Sequence, residues 1–147
     1  MLQIQLIDFG TPAFDEALAL RNEILRIPLN LEFEISDINE EWDSYHFGCY
    51  DELNTLLGCL TLKPLSDGEI KMRQVAVLTN SQKRGIGKFL VEASEAFCQA
   101  HKFTKIVLHA RKEAVPFYKK LSYKTQGKMF EEVGIPHYKM YKKVIGS

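Results

Sequence analysis

The order of hydrophobic and polar residues along the chain predicts strands and helices. Apolar residues fall at alternate positions of Leu2–Ile7, which is typical of a strand. Thr11 and Pro12 form a helix-capping pattern, and apolar positions at helical spacing predict a helix to about Arg26, before Pro28 ends it. The chain therefore begins with a predicted strand and a predicted helix.

The next stretch is irregular and then becomes a hairpin pattern. Leu29–Trp42 mixes apolar and acidic residues without a clear period, and it predicts a short helix or a loop over a pocket. Tyr45–Tyr50 and Leu56–Leu62 predict two strands, because residues 51–54 between them have a turn composition. A third strand is predicted over Glu69–Leu78.

The second half of the chain alternates between helical and strand patterns. Apolar residues keep helical spacing from Gly85 to Ala100, and Lys105–Ala110 is a short apolar run typical of a strand. This order favours a parallel pair of strands joined by a right-handed crossover. One more helix and two closing strands are predicted at Ala114–Leu121, Tyr123–Phe130 and His137–Val144. The elements together predict a mixed sheet with helices on its faces.

Composition narrows the class of protein. The 147 residues are 46% hydrophobic and 26% charged, which predicts a single domain spanning residues 1–147. Because 19 basic and 19 acidic side chains leave no net charge, neither nucleic acid nor an anionic membrane is expected as a partner. No leader and no apolar run of bilayer length are recognised, and a cytoplasmic location is expected. The three cysteines Cys49, Cys59 and Cys98 lack metal-ligand spacing and are expected to be buried apolar residues, so no metal site is predicted.

The strongest chemical signal is the turn that joins the third strand to the second helix. Gln82-Lys83-Arg84-Gly85-Ile86-Gly87 follows the apolar end of the strand and opens an amphipathic helix. The first N–H groups of a helix lack helical partners and lie at the positive end of its dipole. Lys83, Arg84 and Lys88 add positive charge, so the turn predicts an anion site suited to phosphate.

Two nucleotide-binding motifs fit this turn poorly. A Walker phosphate loop needs an earlier glycine and a hydroxyl after the lysine, whereas Lys88 is followed by Phe89. A dinucleotide fingerprint needs a third glycine, whereas Leu90 stands at that position. A binding site for ATP or for a dinucleotide is therefore disfavoured at this turn.

Two segments resemble the GNAT family of N-acetyltransferases. Gln82–Gly87 matches the family's Gln/Arg-x-x-Gly-x-Gly/Ala signature, and Ala114–Tyr123 is similar to its Ala-x-x-Phe-Tyr-x-x-Leu-Gly-Phe segment. The resemblance extends over nearly the whole chain, although the first 45 residues match only by element order. Arg21–Leu31 and Gly134–Met140 look like the ElaA-like small bacterial branch.

The resemblance implies a fold, a donor and a reaction. The expected fold is a mixed, mostly antiparallel sheet of six to seven strands with a parallel pair at the cofactor site and about four helices. The expected reaction is transfer of acetyl from acetyl-CoA to a primary amine, by direct attack through a tetrahedral intermediate. The residues expected to bind the cofactor are Val75, Ala76, Val77, Gln82, Lys83, Arg84, Gly85, Ile86, Gly87, Lys88 and Arg111.

The resemblance also suggests the proton-transferring groups. Tyr118 stands where many members keep a tyrosine as general acid, although a tyrosine on an amphipathic helix is otherwise a core or rim residue. The strand glutamate of many lysine-acetylating members is Lys71 here, so the base must be sought elsewhere. His137 is the leading candidate for the general base, and its alternative is a histidine that hydrogen-bonds a strand end. His109 is a weaker candidate.

The acceptor side is the least constrained. Arg26 and Glu32, with the acidic Glu34 and Asp37, are expected to line a pocket for a cationic amine, or else to form a solvated face. Arg111 replaces an asparagine and Ser122 replaces a glycine of the family pattern. A small-molecule or peptide amine is the expected acceptor, and a homodimer is an expectation from the resemblance. The alternative function is a non-catalytic acyl-CoA-binding sensor or interaction module.

Overall fold

The computed structural model describes residues 1–31, 38–82 and 84–144 of the chain. In these ranges the regular elements are seven strands and three α-helices. The helices are α1 Pro12–Arg21, α2 Ile86–Ala100 and α3 Val115–Lys120. The strands are β1 Gln3–Ile7, β2 Tyr45–Tyr50, β3 Leu56–Pro64, β4 Glu69–Val77, β5 Lys105–Arg111, β6 Lys124–Glu132 and β7 Ile135–Lys143.

The strands form a mixed sheet in the order β1-β2-β3-β4-β5-β7-β6. β4 and β5 run parallel over Glu69–Met72 and Lys105–Leu108, because α2 returns the chain to the same end of the sheet. The pairs β1–β2, β2–β3, β5–β7 and β6–β7 are antiparallel. The predicted mixed, mostly antiparallel sheet with a parallel pair is confirmed.

The chain divides into two compact units, of which the first comprises residues 1–63 and 73–94. Its core forms where α1 packs against the sheet. Thr11 caps α1 by accepting a hydrogen bond from the Phe14 amide at 3.3 Å, as predicted. The helix continues as a π-helical turn over Asn22–Arg26 and a 3-10 turn over Ile27–Leu29. The buried residues of this core are Ile7, Phe14, Ala17, Leu20, Tyr50, Leu56, Cys59 and Ala76.

A buried ion pair ties α1 to the 3-10 turn Glu40–Asp43 in the same unit. The Arg21 guanidinium donates to both carboxylate oxygens of Glu41 at 2.8 and 2.7 Å, and the two side chains are only 2% and 4% exposed. His46 is within 3.1 Å of the Glu41 carbonyl oxygen and of the Thr61 hydroxyl. Burial lowers the pKa of His46, so its neutral form is favoured in this network.

The second unit comprises residues 64–72 and 95–147. β7 pairs with β5 on one side and β6 on the other. It begins at Ile135, two residues earlier than predicted, because Val133 and Gly134 adopt φ values of 48° and 74° and close a two-residue hairpin turn. His137 therefore lies inside a strand. The fully buried apolar residues of this unit include Ile70, Cys98, Ile106 and Met140.

The three cysteines are free and buried, as predicted. Burial raises the pKa of the Cys59 and Cys98 thiols to about 12, which disfavours reactive thiolates. No helix in the described ranges is long and apolar enough to cross a membrane. That residues 1–147 act as a single domain stays a prediction.

Candidate active site

The predicted anion-binding turn lies between the end of β4 and the start of α2, in the first unit. Local hydrogen bonds hold its shape. The Gln82 side-chain amide donates to the Val77 carbonyl oxygen at 3.1 Å, and the Arg84 amide donates to the Ser81 carbonyl oxygen at 3.2 Å. Gln82 thus ties the turn back to the last residue of the strand.

The start of α2 carries backbone N–H groups that precede its first helical hydrogen bond. Among the described residues, the first helical hydrogen bond runs from the Phe89 amide to the Gly85 carbonyl oxygen at 3.0 Å, and the amides of Ile86, Gly87 and Lys88 precede it. Gly85 has a φ of 76°, and no described atom outside Gly85 and its two chain neighbours lies within 4 Å of the position a Cβ would take. The side chains of Arg84 and Lys88 are exposed. This open, cationic helix start fits a phosphate group.

Gly58 on β3 determines how closely α2 packs on the sheet of this unit. A Cβ at Gly58 would lie 3.0 Å from the Ile86 and Leu90 methyl groups and 3.2 Å from the Ala76 carbonyl oxygen. Ile86 and Leu90 are fully buried. The position of the anion-binding turn therefore depends on the missing side chain of Gly58.

The strand ahead of the turn contains an irregularity that the sequence pattern did not predict. Gln74, in β4, has a φ of 57°, which is in the left-handed region. Such a residue interrupts the pleat and bends the strand. Val75 and Val77 beyond it are half-buried, whereas Ala76 is buried in the core below α1. Sequence offers little signal here, since glutamine rather than glycine occupies the position.

Tyr118 lies on α3 in the second unit. It is 7% exposed, and its ring makes edge-to-face contacts with Phe117 and Tyr123 at centroid distances of 5.0 and 5.7 Å. Burial raises the pKa of Tyr118, so the phenol keeps its proton. Ser122, which replaces the family's glycine, still takes the left-handed conformation with a φ of 74°. The turn after α3 therefore forms, and the Tyr123 amide donates to the Tyr118 carbonyl oxygen at 3.0 Å.

His137 is 4% exposed, inside β7. Its Nδ1 lies 2.8 Å from the Ile135 carbonyl oxygen, which can only accept, so Nδ1 carries a proton. The hydrogen bond expected of a structural histidine is thus present. The other ring nitrogen, Nε2, lies 3.7 Å from the Glu132 Oε2 atom and is available as a base in the neutral ring.

Glu132 brings the two candidate histidines into one cluster, and sequence reasoning missed it. Its Oε1 atom lies 3.0 Å from Nδ1 of His109, which is 3.5 Å from Nζ of Lys71. The Phe130 ring packs against both imidazoles, with centroid distances of 5.0 and 6.0 Å. Burial alone would raise the pKa of Glu132, but the hydrogen bond from His109 and the surrounding positive charges lower it below its usual value. The hairpin register, which places Phe130 opposite His137, brings this cluster together, and no local sequence pattern signals it.

The remaining predicted site residues are dispersed or outside the described ranges. Arg111 ends β5 and lies opposite His137 in the strand register. Arg26 is half-buried at the end of the π-helical turn. Lys83 and the predicted acceptor residue Glu32, with Glu34 and Asp37, lie outside the described residues. Within the described ranges, no group of three or more His, Cys, Asp or Glu side chains could hold a metal ion.

Comparison with known proteins identifies relatives over most of the chain. A family model described as an acetyltransferase (GNAT) domain matches residues 34–144. The uncharacterized N-acetyltransferase YjcF of Bacillus subtilis (strain 168) is 32% identical over 131 residues, which cover 86% of this chain and 90% of that protein. These two findings confirm the family resemblance inferred from the sequence.

Solved structures share the fold at lower identity. Escherichia coli ElaA has a TM-score of 0.82 and 20% identity, over 97% of this chain and 100% of that chain. An aminoglycoside 6′-N-acetyltransferase complexed with coenzyme A has a TM-score of 0.80 and 18% identity, over 99% of this chain and 98% of that chain. At these identities the two structures show a common fold.

Proposed function

Because this chain belongs to the GNAT family of acetyltransferases, we propose that it transfers an acetyl group from acetyl-CoA to a primary amine of a small molecule or a protein. The observation that carries the proposal is the start of α2, where amides that precede the first helical hydrogen bond of the described residues and two exposed cationic side chains suit a pyrophosphate. The similarly folded aminoglycoside acetyltransferase, complexed with coenzyme A, supports the choice of donor.

The donor would be held mainly by backbone groups. The amides of Ile86, Gly87 and Lys88 bind the pyrophosphate, with countercharge from Arg84 and Lys83 and a turn held in shape by Gln82 and Gly85. The backbone of Val75, Ala76 and Val77 pairs with the pantetheine amides, and Arg111 contacts the pantetheine arm. Acetyl-CoA supplies an acetyl group activated as a thioester.

Two side chains would handle the protons. Tyr118 keeps its hydroxyl proton because burial raises its pKa, and it donates that proton to the leaving thiolate. His137 accepts a proton at Nε2 from the acceptor ammonium. Arg26 and Glu32 are proposed to contact the acceptor. A cytoplasmic location and a homodimer stay predictions.

Acetyl-CoA is expected to raise the melting temperature of the protein. A ligand that binds only the native state at 100 times its Kd stabilises it by about 2.7 kcal/mol, or roughly 5–10 °C for a chain of this size. Reversing two charges at the turn, with Arg84→Glu and Lys88→Glu, should remove most of this shift. The matched control, Lys102→Glu with Lys128→Glu, changes two exposed lysines of the second unit and should retain it.

Thermal shifts and thiol release together test the function. Absence of a shift at saturating acetyl-CoA would overturn donor binding. A shift with no release of free coenzyme A thiol on a broad panel of amines would favour the acyl-CoA sensor. That alternative draws its support from Lys71, which occupies the strand position of the glutamate found in many lysine-acetylating relatives.

Replacing Gly58 by alanine is expected to weaken acetyl-CoA binding by about tenfold. The added methyl would press on Ile86, Leu90 and the Ala76 backbone, so the start of α2 must shift by a few tenths of an ångström. Overpacking of this kind typically costs about 1–3 kcal/mol of stability. Isothermal titration calorimetry and urea unfolding would measure both effects. A destabilised variant with an unchanged Kd would limit Gly58 to a packing role.

A further inference from the structure

The Glu132 carboxylate lies between two imidazoles that belong to neighbouring strands. One oxygen accepts a hydrogen bond from Nδ1 of His109 at 3.0 Å, and the other lies 3.7 Å from Nε2 of His137. The Glu132 side chain is 45% exposed, whereas that of His137 is 5% exposed. Glu132 thus connects a buried ring to one that is partly open to solvent.

The two ring nitrogens of His137 have different neighbours. The Ile135 carbonyl oxygen fixes a proton on Nδ1 of His137, so the lone pair of the neutral ring is on Nε2, 3.7 Å from the Glu132 Oε2 atom. At 3.7 Å there is no hydrogen bond in that state. Protonation at Nε2 places an N–H beside the carboxylate and creates an ion pair.

We infer that Glu132 is a positioning residue for His137. The Glu132 carboxylate stabilises the imidazolium that forms when His137 takes a proton from the acceptor. The inference rests on the proposed function. In this step an N–H bond of the acceptor ammonium breaks, its electron pair stays on nitrogen as the attacking lone pair, and the proton bonds to Nε2 of His137. The imidazolium later releases the proton to water.

The groups near His137 in the strand register are mainly cationic, so an anion beside the ring would favour its protonation. The strand register places Arg111 opposite His137 and Lys139 opposite His109, on the same face of the sheet as Lys71. These groups are cationic and oppose a further positive charge on the ring. Farther along this face, Glu69 is paired with Lys105 at 3.8 Å. Among these described groups, Glu132 is the anion that faces His137.

The test compares Glu132→Gln with a matched control on the same strand. Glu131→Gln makes the same charge change on an adjacent, exposed residue whose side chain points to the other face. An NMR titration of the His137 ring should move to lower pH by about half a unit in Glu132→Gln, as expected for a partly exposed ion pair. Glu131→Gln should titrate as the wild type does.

Steady-state kinetics test whether the Glu132–His137 pair contributes to catalysis. In Glu132→Gln the acidic limb of the kcat/KM profile should move to lower pH, and kcat at pH 7 should fall about three- to tenfold because the base is weaker. Glu132→Asp keeps the charge and should recover part of both effects. The KM for acetyl-CoA should stay unchanged in all three variants.

The outcomes separate this inference from the proposed function. An unchanged His137 titration in Glu132→Gln overturns the pairing of the two residues. A shifted titration with a wild-type pH–rate profile overturns its catalytic use. Absence of turnover in the wild type overturns the proposed function, and a shifted His137 titration would then still establish the Glu132–His137 pair.

Discussion

Replacing Tyr118 by phenylalanine is expected to lower kcat by about 100-fold or more while leaving acetyl-CoA affinity unchanged. General acid catalysis typically contributes about 10²–10⁴-fold, and the substitution removes the proton donor while keeping the ring contacts with Phe117 and Tyr123. Burial raises the pKa of Tyr118 above the ordinary tyrosine value of about 10. The hydroxyl of the wild type therefore stays protonated at pH 10. Loss of this proton should therefore not lower kcat at any pH below about 10.

Tyr123→Phe is the matched control for this experiment. Tyr123 is also buried, but its hydroxyl donates to Glu95 at 2.9 Å, so the substitution should cost about 1 kcal/mol of stability and leave kcat near that of the wild type. Steady-state kinetics and calorimetric binding would be measured for both variants. An equal fall of kcat in the two variants would assign Tyr118 to the core instead of to proton transfer.

Replacing Arg21 by methionine is expected to lower the free energy of unfolding by about 3–5 kcal/mol. The substitution leaves the Glu41 carboxylate, 4% exposed, without the two hydrogen bonds that neutralise it. Since whole domains are stable by only about 5–15 kcal/mol, this is a large part of the total. Urea unfolding followed by circular dichroism would measure the loss.

Two comparisons identify the cause of that loss. The double variant Arg21→Met with Glu41→Leu should recover much of the stability, because it removes the unpaired buried charge. Lys63→Met breaks the more exposed pair between Lys63 and Asp43, 3.5 Å apart, and should cost less than about 1 kcal/mol. An Arg21→Met loss as small as that of Lys63→Met would contradict a stabilising role for the buried pair.

Much of the fold could be predicted because its signals are local. The Thr11 cap, the turn composition of residues 51–54 and the alternation around them gave the correct starts of α1 and β3 and both ends of β2. The start of β7 was missed by two residues, because Val133 and Gly134 form a tight turn immediately before Ile135. Strand ends depend on such turn geometry more than on hydrophobic pattern.

The candidate site divides in the same way. The Gln82–Gly87 turn could be recognised because its function depends on neighbouring residues, with Gly85 supplying a positive φ and Gln82 bonding to Val77 five residues away. The left-handed Gln74 could not be predicted, since a glutamine carries no preference for that conformation. In the sequence alone, nothing distinguished Glu132 from the other acidic residues of the chain.

By itself, the sequence determined the family, the order of elements and the anion-binding turn, all of which arise from residues close together in the chain. Only the tertiary structure decided which distant groups meet. Arg21 reaches Glu41 across 20 positions, and His109 reaches Glu132 across 23. Such pairs depend on strand register and helix packing, where a shift of a single residue turns a side chain to the other face. The chemistry proposed for His137 therefore rests on how a hairpin closes, which no local pattern specifies.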